Sequence, residues 1–531
     1  MPKFQFSRLL FLLFFACSTL SYGQRRSAEP FDVLHYQFDV QLNDTTNAVA
    51  VTAQLTILYL DSIPAQTILD LASPTDATGM LVDKLKFNEQ TINYTHDADQ
   101  LKLATPATVQ IGDTVRVSIS YSGIPDMGLV FGQTAQGDRT IFAEHWPNRA
   151  HRWLPVIDHP SEKATCEFVV TAPGQYQVVS NGDLQNEQIL ADGLKQTHWK
   201  MSQPIPAKVM VIGVAEFVKR SLDNEKNITA WTYKNAGSAP QEDLADAPAI
   251  YGVLRDFLGE YPFTKCDQVE STTRFGGMEN AGNIFYPEKN MTGEHRMNPV
   301  IAHEIAHQWF GNSVSESDWT DVWVSEGFAT FLEYYWINEA LGKDSLQAKL
   351  DIDEIKIRDY QRLNPDQIVV QMNIDNLEDI LNALTYEKAG WVLRMLYQKV
   401  GKETFRQIVL TFYEKYKFKN ASTQDFIKVA EEISMLDLKP FFQQWFYTPD
   451  MPRVNYKWKY KKDRLVIDFE QLTSKVFLLD LDVQVKFQNM NFEIKRVVLN
   501  QRAQTIEIPC ENPDDVVLDP LNIVLGYFYE K

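Results

Sequence analysis

The residues that could do chemistry are concentrated in one short stretch of the chain. The segment His303-Glu304-Ile305-Ala306-His307 carries two imidazoles four residues apart and a carboxylate directly after the first. On a helix, this spacing puts both imidazoles on one face, a turn apart. Two such imidazoles and one further acid can hold a tetrahedral Zn²⁺ and leave the fourth position to water. The stretch therefore predicts one bound Zn²⁺ per chain.

A third ligand is predicted at Glu326, which follows His307 after eighteen intervening residues. The range Trp323–Leu341 predicts a helix that Gly342 would end, with Glu326 in its first turns. The neighbours of Glu326 are mostly apolar, so an unpaired carboxylate would be costly to bury there unless a metal neutralised it. Glu304 is predicted to take the proton of the attacking water. The alternative is a packed helix whose histidines bind backbone carbonyl groups.

The helix that carries the two histidines has its own start and end signals. Asn298-Pro299 is a typical start, with Asn at the N-cap and Pro in the first turn. Gly311-Asn312 is a typical end. These signals predict a short, well-bounded helix around the metal-binding motif.

The sequence resembles the aminopeptidase N family of zinc metallopeptidases, a gluzincin family that includes leukotriene hydrolase. The resemblance is carried by His303–Asn312 and Trp319–Tyr334. Gly276–Asn280 is similar to the exopeptidase signature G-A-M-E-N of this family, with Gly277 at the usual Ala position. Tyr386–Gly390 is similar to the Y-x-K-G motif of the family.

A fourth and shorter match lies upstream. Phe142–Glu144 is followed by Pro155–Pro160, as in family members, and Val156 stands where the family often has Cys. The resemblance covers most of the chain, and the three longer motifs occur in the order typical of the family.

The resemblance implies a role for each residue of the metal centre. His303, His307 and Glu326 would bind Zn²⁺, and Glu304 would act as general base. Tyr386 would stabilise the oxyanion, because its phenol could donate a hydrogen bond to the tetrahedral oxygen.

The resemblance also implies an exopeptidase. Glu279, supported by Glu144, would bind the free α-ammonium group of a peptide and so fix its first peptide bond over the metal. Gly276 and Gly277 would lie in an edge strand, where the absence of side chains lets the substrate backbone approach. Met278 would lie next to the pocket for the first side chain, where its flexible thioether fits several apolar groups.

Composition limits the classes of partner. The chain has 531 residues, of which 44% are hydrophobic and 23% charged, as in an ordinary globular protein of two to four domains. The net charge of −19 and a pI near 5.0 argue against nucleic acid or an anionic membrane surface as a partner. The expected partners are peptides with a free N-terminus, and the sequence carries no signal for an oligomeric state.

The first residues predict export. Lys3 and Arg8 precede an apolar run at Leu9–Ala16, and cleavage is expected after Gly23. The alternative is a lipoprotein signal at Cys17, which the bulky residues before it disfavour. We expect a periplasmic, cell-surface or extracellular protein. No later segment is long and apolar enough for a transmembrane helix.

The pattern of elements predicts a multidomain α+β protein. After a signal peptide at 1–23, residues 24–225 alternate apolar with polar residues, which predicts an N-terminal β-sheet domain. Residues 226–450 have a helical period, which predicts a mainly helical domain, and the resemblance implies that this is a thermolysin-like zinc domain. Residues 451–531 again read as strands and predict a small C-terminal β-sandwich.

Two further expectations concern the architecture. Asn181-Gly182 is a strong hairpin signal between two strands. Family members commonly add a large helical domain after the β-sandwich, and this chain ends without one, so we expect a more open cleft unless a partner subunit covers it. The widely spaced Cys166, Cys266 and Cys510 are interpreted as buried thiols, with one disulfide as the alternative.

Three other functions are compatible with parts of the pattern. An endopeptidase with an open cleft could use the same metal chemistry, and lipid epoxide hydrolysis occurs in the related leukotriene hydrolase. A non-catalytic peptide-binding scaffold could share the fold, although it would have no need of an intact metal site with its base and tyrosine.

Overall fold

The computed structural model describes residues 29–224, 227–488 and 491–531. The predicted signal peptide, its cleavage after Gly23 and the alternative lipid anchor at Cys17 lie outside these residues. Among the helices in the described ranges, none combines the length and the apolar character that a membrane span requires.

The first part of the described chain consists of strands, as predicted. Along β1 and β2 the side chains alternate between buried and solvent-facing positions, because successive residues of a strand point to opposite faces. The strands are β1 Phe31–Gln41, β2 Val49–Tyr59, β3 Gln66–Asp70, β4 Gly79–Phe87, β5 Gln90–Thr91, β6 Tyr94–Asp97, β7 Gln100–Ala104, β8 Thr114–Ile124, β9 Leu129–Gln133, β10 Arg139–Ala143, β11 Lys163–Pro173, β12 Gln177–Ser180, β13 Asp183–Ile189, β14 Leu194–Pro206 and β15 Ile212–Ala215.

These strands form three sheets. The largest has the order β13-β14-β11-β1-β2-β8-β4-β5, in which β1 pairs parallel with β11 and antiparallel with β2. The other two have the orders β12-β15-β10-β9 and β3-β7-β6. β10 and the loop after it lead from this region to the candidate site.

The prediction of a hairpin at Asn181-Gly182 is wrong. The strand before it, β12, pairs with β15, whereas the strand after it, β13, pairs with β14 in the large sheet. Gly182 has a positive φ of 75°, and the buried amide of Asn181 donates to the carbonyl oxygens of Val209 and Ala281 at 2.9 Å each. The pair therefore moves the chain between sheets, because distant partners of Asn181 override the local turn preference.

The middle of the chain is mainly helical. Its helices are α1 Ala239–Asp243, α2 Ala247–Leu258, α3 Asn298–Ala306, α4 Trp323–Leu341, α5 Lys343–Leu363, α6 Ala389–Val400, α7 Lys402–Tyr416, α8 Thr423–Ser434 and α9 Lys439–Phe446. Its strands are β16 Phe217–Ser221, β17 Thr229–Tyr233, β18 Asp267–Ser271, β19 Asn283–Pro287, β20 Val314–Glu316 and β21 Lys419–Ala421. The predicted bounds of α4 are confirmed, and Gly342 follows it with a φ of 86°.

The sheet with the order β16-β17-β18-β19 lies between two hydrophobic cores. In β19, Ile284 and Tyr286 pack into the core formed with the helices, whereas Phe285 packs into the core of the N-terminal strands. Alternation along one strand therefore joins both regions. At its free edge, β19 faces the segment Gly276–Asn280.

The end of the chain returns to strands, as predicted. They are β22 Arg453–Tyr460, β23 Arg464–Gln471, β24 Leu479–Lys486, β25 Phe492–Leu499, β26 Ala503–Pro509, β27 Asp515–Leu518 and β28 Tyr527–Glu530. They form two sheets, β26-β23-β22-β28 and β25-β24-β27, whose buried side chains belong to the same core as the helices.

The predicted fold class is confirmed: a strand-rich first part, a mainly helical middle and terminal strands. The domain bounds near 225 and 450 stay predictions, and β16 pairs antiparallel with β17 across the first of them. Cys166, Cys266 and Cys510 are free thiols, and the first two are buried. Burial raises the pKa of Cys266 to about 12, which keeps this thiol protonated.

Candidate metal centre and active site

Three predicted metal ligands converge in the structure. The ligand atoms of His303, His307 and Glu326 all lie within 4.8 Å of one another. The two Nε2 atoms are 3.1 Å apart, and Glu326 Oε2 lies 3.2 Å from His307 Nε2 and 3.5 Å from His303 Nε2. This triangle brings together three electron-pair donors: His303 on α3, His307 directly after the end of α3, and Glu326 on α4.

The triangle fits a tetrahedral zinc ion. Bonds of about 2.0 to 2.2 Å from zinc to nitrogen or oxygen put tetrahedral ligand atoms roughly 3.3 Å apart, close to the observed separations. Glu326 Oε2 is buried and accepts no hydrogen bond within the described part of the chain. A buried carboxylate oxygen without a donor is costly, and a cation in the triangle would satisfy it.

The helix α3 positions the two histidines, but its ends differ from the prediction. Asn298 is the first helical residue rather than the N-cap, because its side chain donates to Asp246 Oδ2 at 2.8 Å. The helix ends at Ala306, five residues before the predicted stop at Gly311-Asn312. The chain tightens there into i→i+3 hydrogen bonds, as at many helix ends.

Groups behind the ligands orient the two imidazoles. His307 Nδ1 lies 3.1 Å from the carbonyl oxygen of Phe310, so an N–H at that position leaves Nε2 free to bind a metal. His303 Nδ1 faces Glu333 Oε2 at 3.7 Å, and Lys349 Nζ contacts the other Glu333 oxygen at 3.1 Å. Such outer partners orient metal-bound histidines in many proteins.

Electrostatics at the triangle favour a cation. Burial opposes a charge on His303, but Glu326 and Glu333 reverse that effect and raise its pKa to about 10. Burial likewise opposes ionisation of Glu326, yet His307 and His303 lower its pKa below the ordinary value. The three groups thus form a cluster whose carboxylate stays negative and attracts positive charge.

Glu304 lies against the backbone of Gly277. Burial raises the pKa of the Glu304 carboxyl to about 7, against the pull of His303 and His307. A Cβ built on Gly277 would lie 2.3 Å from Glu304 Oε1 and 2.6 Å from its Cγ. The carboxylate therefore occupies space that an alanine methyl group at this position would fill.

Tyr386 lies beside the triangle in a single π-helical turn, Leu384–Lys388. Its ring is nearly parallel to the His303 ring, with centroids 5.9 Å apart. Burial and the nearby carboxylates raise the pKa of the Tyr386 phenol well above its ordinary value. The phenol therefore keeps its proton at neutral pH and can donate a hydrogen bond.

The segment Gly276–Asn280 lies beside the metal ligands but is not the predicted edge strand. A single bridge joins it to β19, in which Met278 and Phe285 exchange N–H···O bonds of 2.9 Å. The rest of the segment has no regular strand structure, although β19 is the edge strand of its sheet. The side chain of Met278 is buried in the core of the N-terminal strands.

Glu279 is fixed at three points. Its carbonyl oxygen accepts hydrogen bonds from Gln308 Nε2 at 2.8 Å and Asn312 Nδ2 at 2.6 Å. Its carboxylate oxygen Oε1 accepts a hydrogen bond from the indole N–H of Trp146. The turn after α3 thus holds the backbone of Glu279, and a loop of the N-terminal region holds its side chain.

Glu144 does not line the cavity that contains the metal ligands. Glu144 Oε1 lies 2.9 Å from Arg274 Nε and 3.6 Å from Arg149 Nη1. Glu144 Oε2 accepts a hydrogen bond from the backbone N–H of Arg274 at 2.8 Å. Burial raises the pKa of Glu144 to about 7, and Arg149 opposes that shift. A substrate ammonium group would therefore have to displace Arg274 or Arg149 to bind the carboxylate of Glu144.

One cavity of about 310 Å³ collects most of these groups. Its walls combine the metal ligands, Glu304, Tyr386 and the segment that bears Glu279. The lining residues are Trp146, Phe275, Gly276, Gly277, Met278, Glu279, Val300, His303, Glu304, His307, Glu326, Thr330, Glu333, Lys349, Lys356, Leu381, Tyr386 and Glu387.

Several of these residues were not found from the sequence. Glu333 is seven residues after Glu326, two helical turns on, and this spacing was the available signal. Lys349 and Lys356 lie about two turns apart on the same face of α5, but no sequence feature marks that helix as part of a site. Trp146 has no signal besides its position two residues after Glu144.

Comparison with known families matches two consecutive regions of the chain. The family model described as "Peptidase M1 N-terminal domain" matches residues 33–209. The model described as "Peptidase family M1 domain" matches residues 247–445.

Curated relatives carry related names. Human glutamyl aminopeptidase is 27% identical over 366 residues, which are 66% of this chain and 37% of that protein. Glutamyl aminopeptidase of Bitis rhinoceros is 26% identical over 445 residues, 77% of this chain and 45% of that protein. Aminopeptidase M1-A of Oryza sativa subsp. japonica is 27% identical over 331 residues, 59% of this chain and 37% of that protein.

The chain spans less than half the length of these relatives. The matched regions nevertheless hold both parts that build the cavity: the strands that lead to Trp146, and the helices with the metal ligands. The chain therefore belongs to peptidase family M1.

Proposed function

We propose that the protein is a zinc-dependent aminopeptidase that removes N-terminal residues from peptides. The observation that carries this proposal is that a zinc-type ligand triangle and the carboxylate of Glu279 line the same cavity. A metal site alone would suit any metallopeptidase. A fixed acid next to it suits an enzyme that recognises the charged end of its substrate.

His303, His307 and Glu326 would hold the zinc ion, one per chain. When bound, zinc supplies a Lewis acid that activates water and polarises the scissile carbonyl group. Glu304 takes the proton of the attacking water and returns it to the departing amine nitrogen. Burial raises the pKa of Glu304 above its ordinary value, which helps this carboxyl to hold the proton between the two transfers.

Tyr386 donates its phenolic proton in a hydrogen bond to the oxyanion of the tetrahedral intermediate. The raised pKa of the phenol supports this role, because the group remains a donor rather than a phenolate. The stacked position beside His303 keeps the ring next to the reacting carbonyl.

Glu279 binds the α-ammonium group and thereby selects the first peptide bond. A capped or internal segment would leave this buried carboxylate without a cation, which costs on the order of a few kcal/mol. Gly276 and Gly277 let the substrate backbone approach the wall of the cavity. The same cavity is lined by the apolar side chains of Phe275, Met278 and Leu381, which favour apolar first residues. The name glutamyl aminopeptidase, which several relatives carry, points instead to glutamyl substrates.

The experiment is a panel of aminoacyl fluorogenic substrates, with apolar, basic and glutamyl first residues. Each is measured with an N-acetylated twin, and with and without a zinc chelator. Hydrolysis of the free-amine substrates alone, lost with chelator and regained with zinc, is the expected result. Equal hydrolysis of the capped twins would favour an endopeptidase, and activity that resists chelation would contradict the metal mechanism.

We further propose that the mature protein acts outside the cytoplasm, on the basis of the first 23 residues. N-terminal sequencing of protein recovered from the producing cells tests this proposal. A mature chain that begins at Gln24 is expected, and a chain that retains residues 1–23 would contradict it.

A further inference from the structure

The carboxylate of Glu279 is held by a residue from the N-terminal region. Trp146 follows β10 and donates its indole N–H to Glu279 Oε1. Its side chain is almost fully buried, with 3% of its surface exposed, yet it lines the same cavity as the metal ligands. An indole nitrogen is a donor only, so it can bind a carboxylate but cannot bind an ammonium group.

The direction of this N–H is fixed by packing on the indole ring. The ammonium group of Lys208 lies 4.6 Å from the ring centroid, and the ring of Trp319 lies 5.8 Å away. Lys208 is itself buried and paired with Glu316, which balances its charge. The indole thus has a charged neighbour, an aromatic neighbour and one direction for its donor.

The hydrogen bond from Trp146 gives the two carboxylate oxygens of Glu279 different environments. Oε1 is taken by Trp146, and within the described ranges no hydrogen bond to Oε2 is found. The carbonyl oxygen of Glu279 is taken by Gln308 and Asn312. Oε2 is thereby the oxygen that is most open to an incoming cation, at a position that Trp146, Gln308 and Asn312 determine.

Glu144 has a different environment, although it is only two residues from Trp146. Arg274 and Arg149 contact its carboxylate, and both also approach Glu378. With two arginines against two glutamates, this cluster carries no net negative charge. A second carboxylate that is already paired adds little attraction for an ammonium group.

We propose that Trp146 is the positioning residue that orients Glu279 for the substrate ammonium group, and that Glu144 serves Arg274 instead of the substrate. This inference rests on the proposed aminopeptidase function. It assigns the recognition of the free N-terminus to one carboxylate and one indole donor, contributed by two different regions of the chain.

Equilibrium binding to an inactive, zinc-loaded Glu304→Gln protein tests the inference. The probes are L-leucinamide, which has a free amine, and N-acetyl-L-leucinamide, measured by calorimetry. Adding Trp146→Phe should raise the Kd for L-leucinamide about tenfold, because a hydrogen bond to a charged group is lost, and should leave the acetylated probe unaffected. Trp146→His keeps a ring N–H and should recover part of the affinity.

Two matched variants serve as controls. Trp231→Phe makes the same substitution at a buried indole whose N–H has no partner among the described residues, and it should change the Kd by less than about twofold. Glu144→Gln should have an equally small effect. Zinc content and melting temperature are recorded for each protein. Should Trp146→Phe not fold, Trp146→Met and Trp146→His give the same contrast between a side chain without and with an N–H donor.

The outcomes separate this inference from the function on which it rests. If the parent protein binds both probes alike, the proposed recognition of a free amine fails. If the parent discriminates but Trp146→Phe discriminates equally well, only the role of Trp146 fails. A loss for Glu144→Gln as large as that for Trp146→Phe would return Glu144 to the substrate site and overturn the inference.

Discussion

The metal centre lines the same cavity as Glu279 and its hydrogen-bond donor Trp146, a pair called the Glu279 clamp below. The two groups are assembled in different ways. The metal ligands lie on α3, directly after its last residue and on α4, and the connection between the two helices includes β20. The clamp takes Glu279 from an irregular segment and Trp146 from a loop 133 residues earlier. Helical geometry therefore determines the metal centre, whereas the packing of two regions determines the clamp.

Under the proposed function, the metal centre would carry out the reaction and the Glu279 clamp would select the substrate. The ligand spacing could support hydrolysis in any metallopeptidase that has these two helices. The clamp exists only where the N-terminal strands meet the turn after α3. Lys163, at the start of β11, supports that contact by donating to the carbonyl oxygens of Asn312 and Ser313 at 3.2 and 2.7 Å. Changes in the two regions should therefore have separable effects.

The largest effect is expected at the base of the metal centre. Glu304→Gln removes the proton acceptor but keeps the size of the side chain, so kcat should fall about 10³-fold while bound zinc and KM change little. Glu387→Gln is the matched control, because this residue lines the same cavity but is paired with Lys356. Steady-state kinetics with metal analysis checks the prediction, and normal turnover by the Glu304→Gln protein would exclude Glu304 as the base.

The next largest effect is expected at the clamp. Glu279→Gln should lower kcat/KM for free-amine substrates about 100-fold and leave the rate on N-acetylated twins unchanged, because only the ammonium contact is lost. Zinc content should stay at one per chain. Glu378→Gln, in the neighbouring cluster with Arg149 and Arg274, is the control. An equal loss on both kinds of substrate would make Glu279 part of the reaction chemistry instead of the clamp.

An intermediate effect is expected behind the metal ligands. Glu333→Gln removes the charge next to His303 Nδ1 and should weaken zinc binding about 10- to 100-fold, as loss of an outer carboxylate typically does. Competition with a chromophoric chelator measures this change. Glu339→Gln, a solvent-accessible acid on the same helix, should keep the original affinity. Equal affinities of the two variants would exclude an outer-shell role for Glu333.

The smallest effect is expected at Gly277, where the segment that bears Glu279 contacts the base Glu304. Gly277→Ala restores the residue typical of the family signature, yet its methyl group would collide with the Glu304 carboxylate. We expect kcat to fall about tenfold, because the base has to move, with zinc content and melting temperature nearly unchanged. Gly276→Ala, whose methyl group would meet no described atom within 4 Å, should cost less. A Gly277→Ala enzyme as active as the original would mean that Glu304 adapts freely.

The metal centre could be predicted from the sequence because its information is local. The spacing of His303 and His307, together with the end signal at Gly342, determines where the ligands point. The same local rules gave two wrong predictions, a helix cap and a hairpin turn, at asparagines whose side chains bind distant partners. Asn298 binds Asp246 instead of capping α3, and Asn181 binds two remote carbonyl groups instead of forming a hairpin turn.

The clamp could be predicted only in part. Glu279 was found through a family motif, but its hydrogen bond to Trp146 joins residues with no sequence relationship. The prediction for Glu144 did not anticipate Arg274, because a pairing across 130 residues leaves no trace in spacing. Such contacts depend on how two folded regions pack against each other, which periodicity and local motifs do not describe.

The most direct measurement of the central claim is a mass-spectrometric time course on one peptide and its N-acetylated twin. The claim is that a zinc centre and an ammonium clamp in the same cavity confine cleavage to the first peptide bond. The account predicts stepwise loss of N-terminal residues from the free peptide and an intact twin. Internal fragments, or cleavage of the twin at a comparable rate, would contradict it.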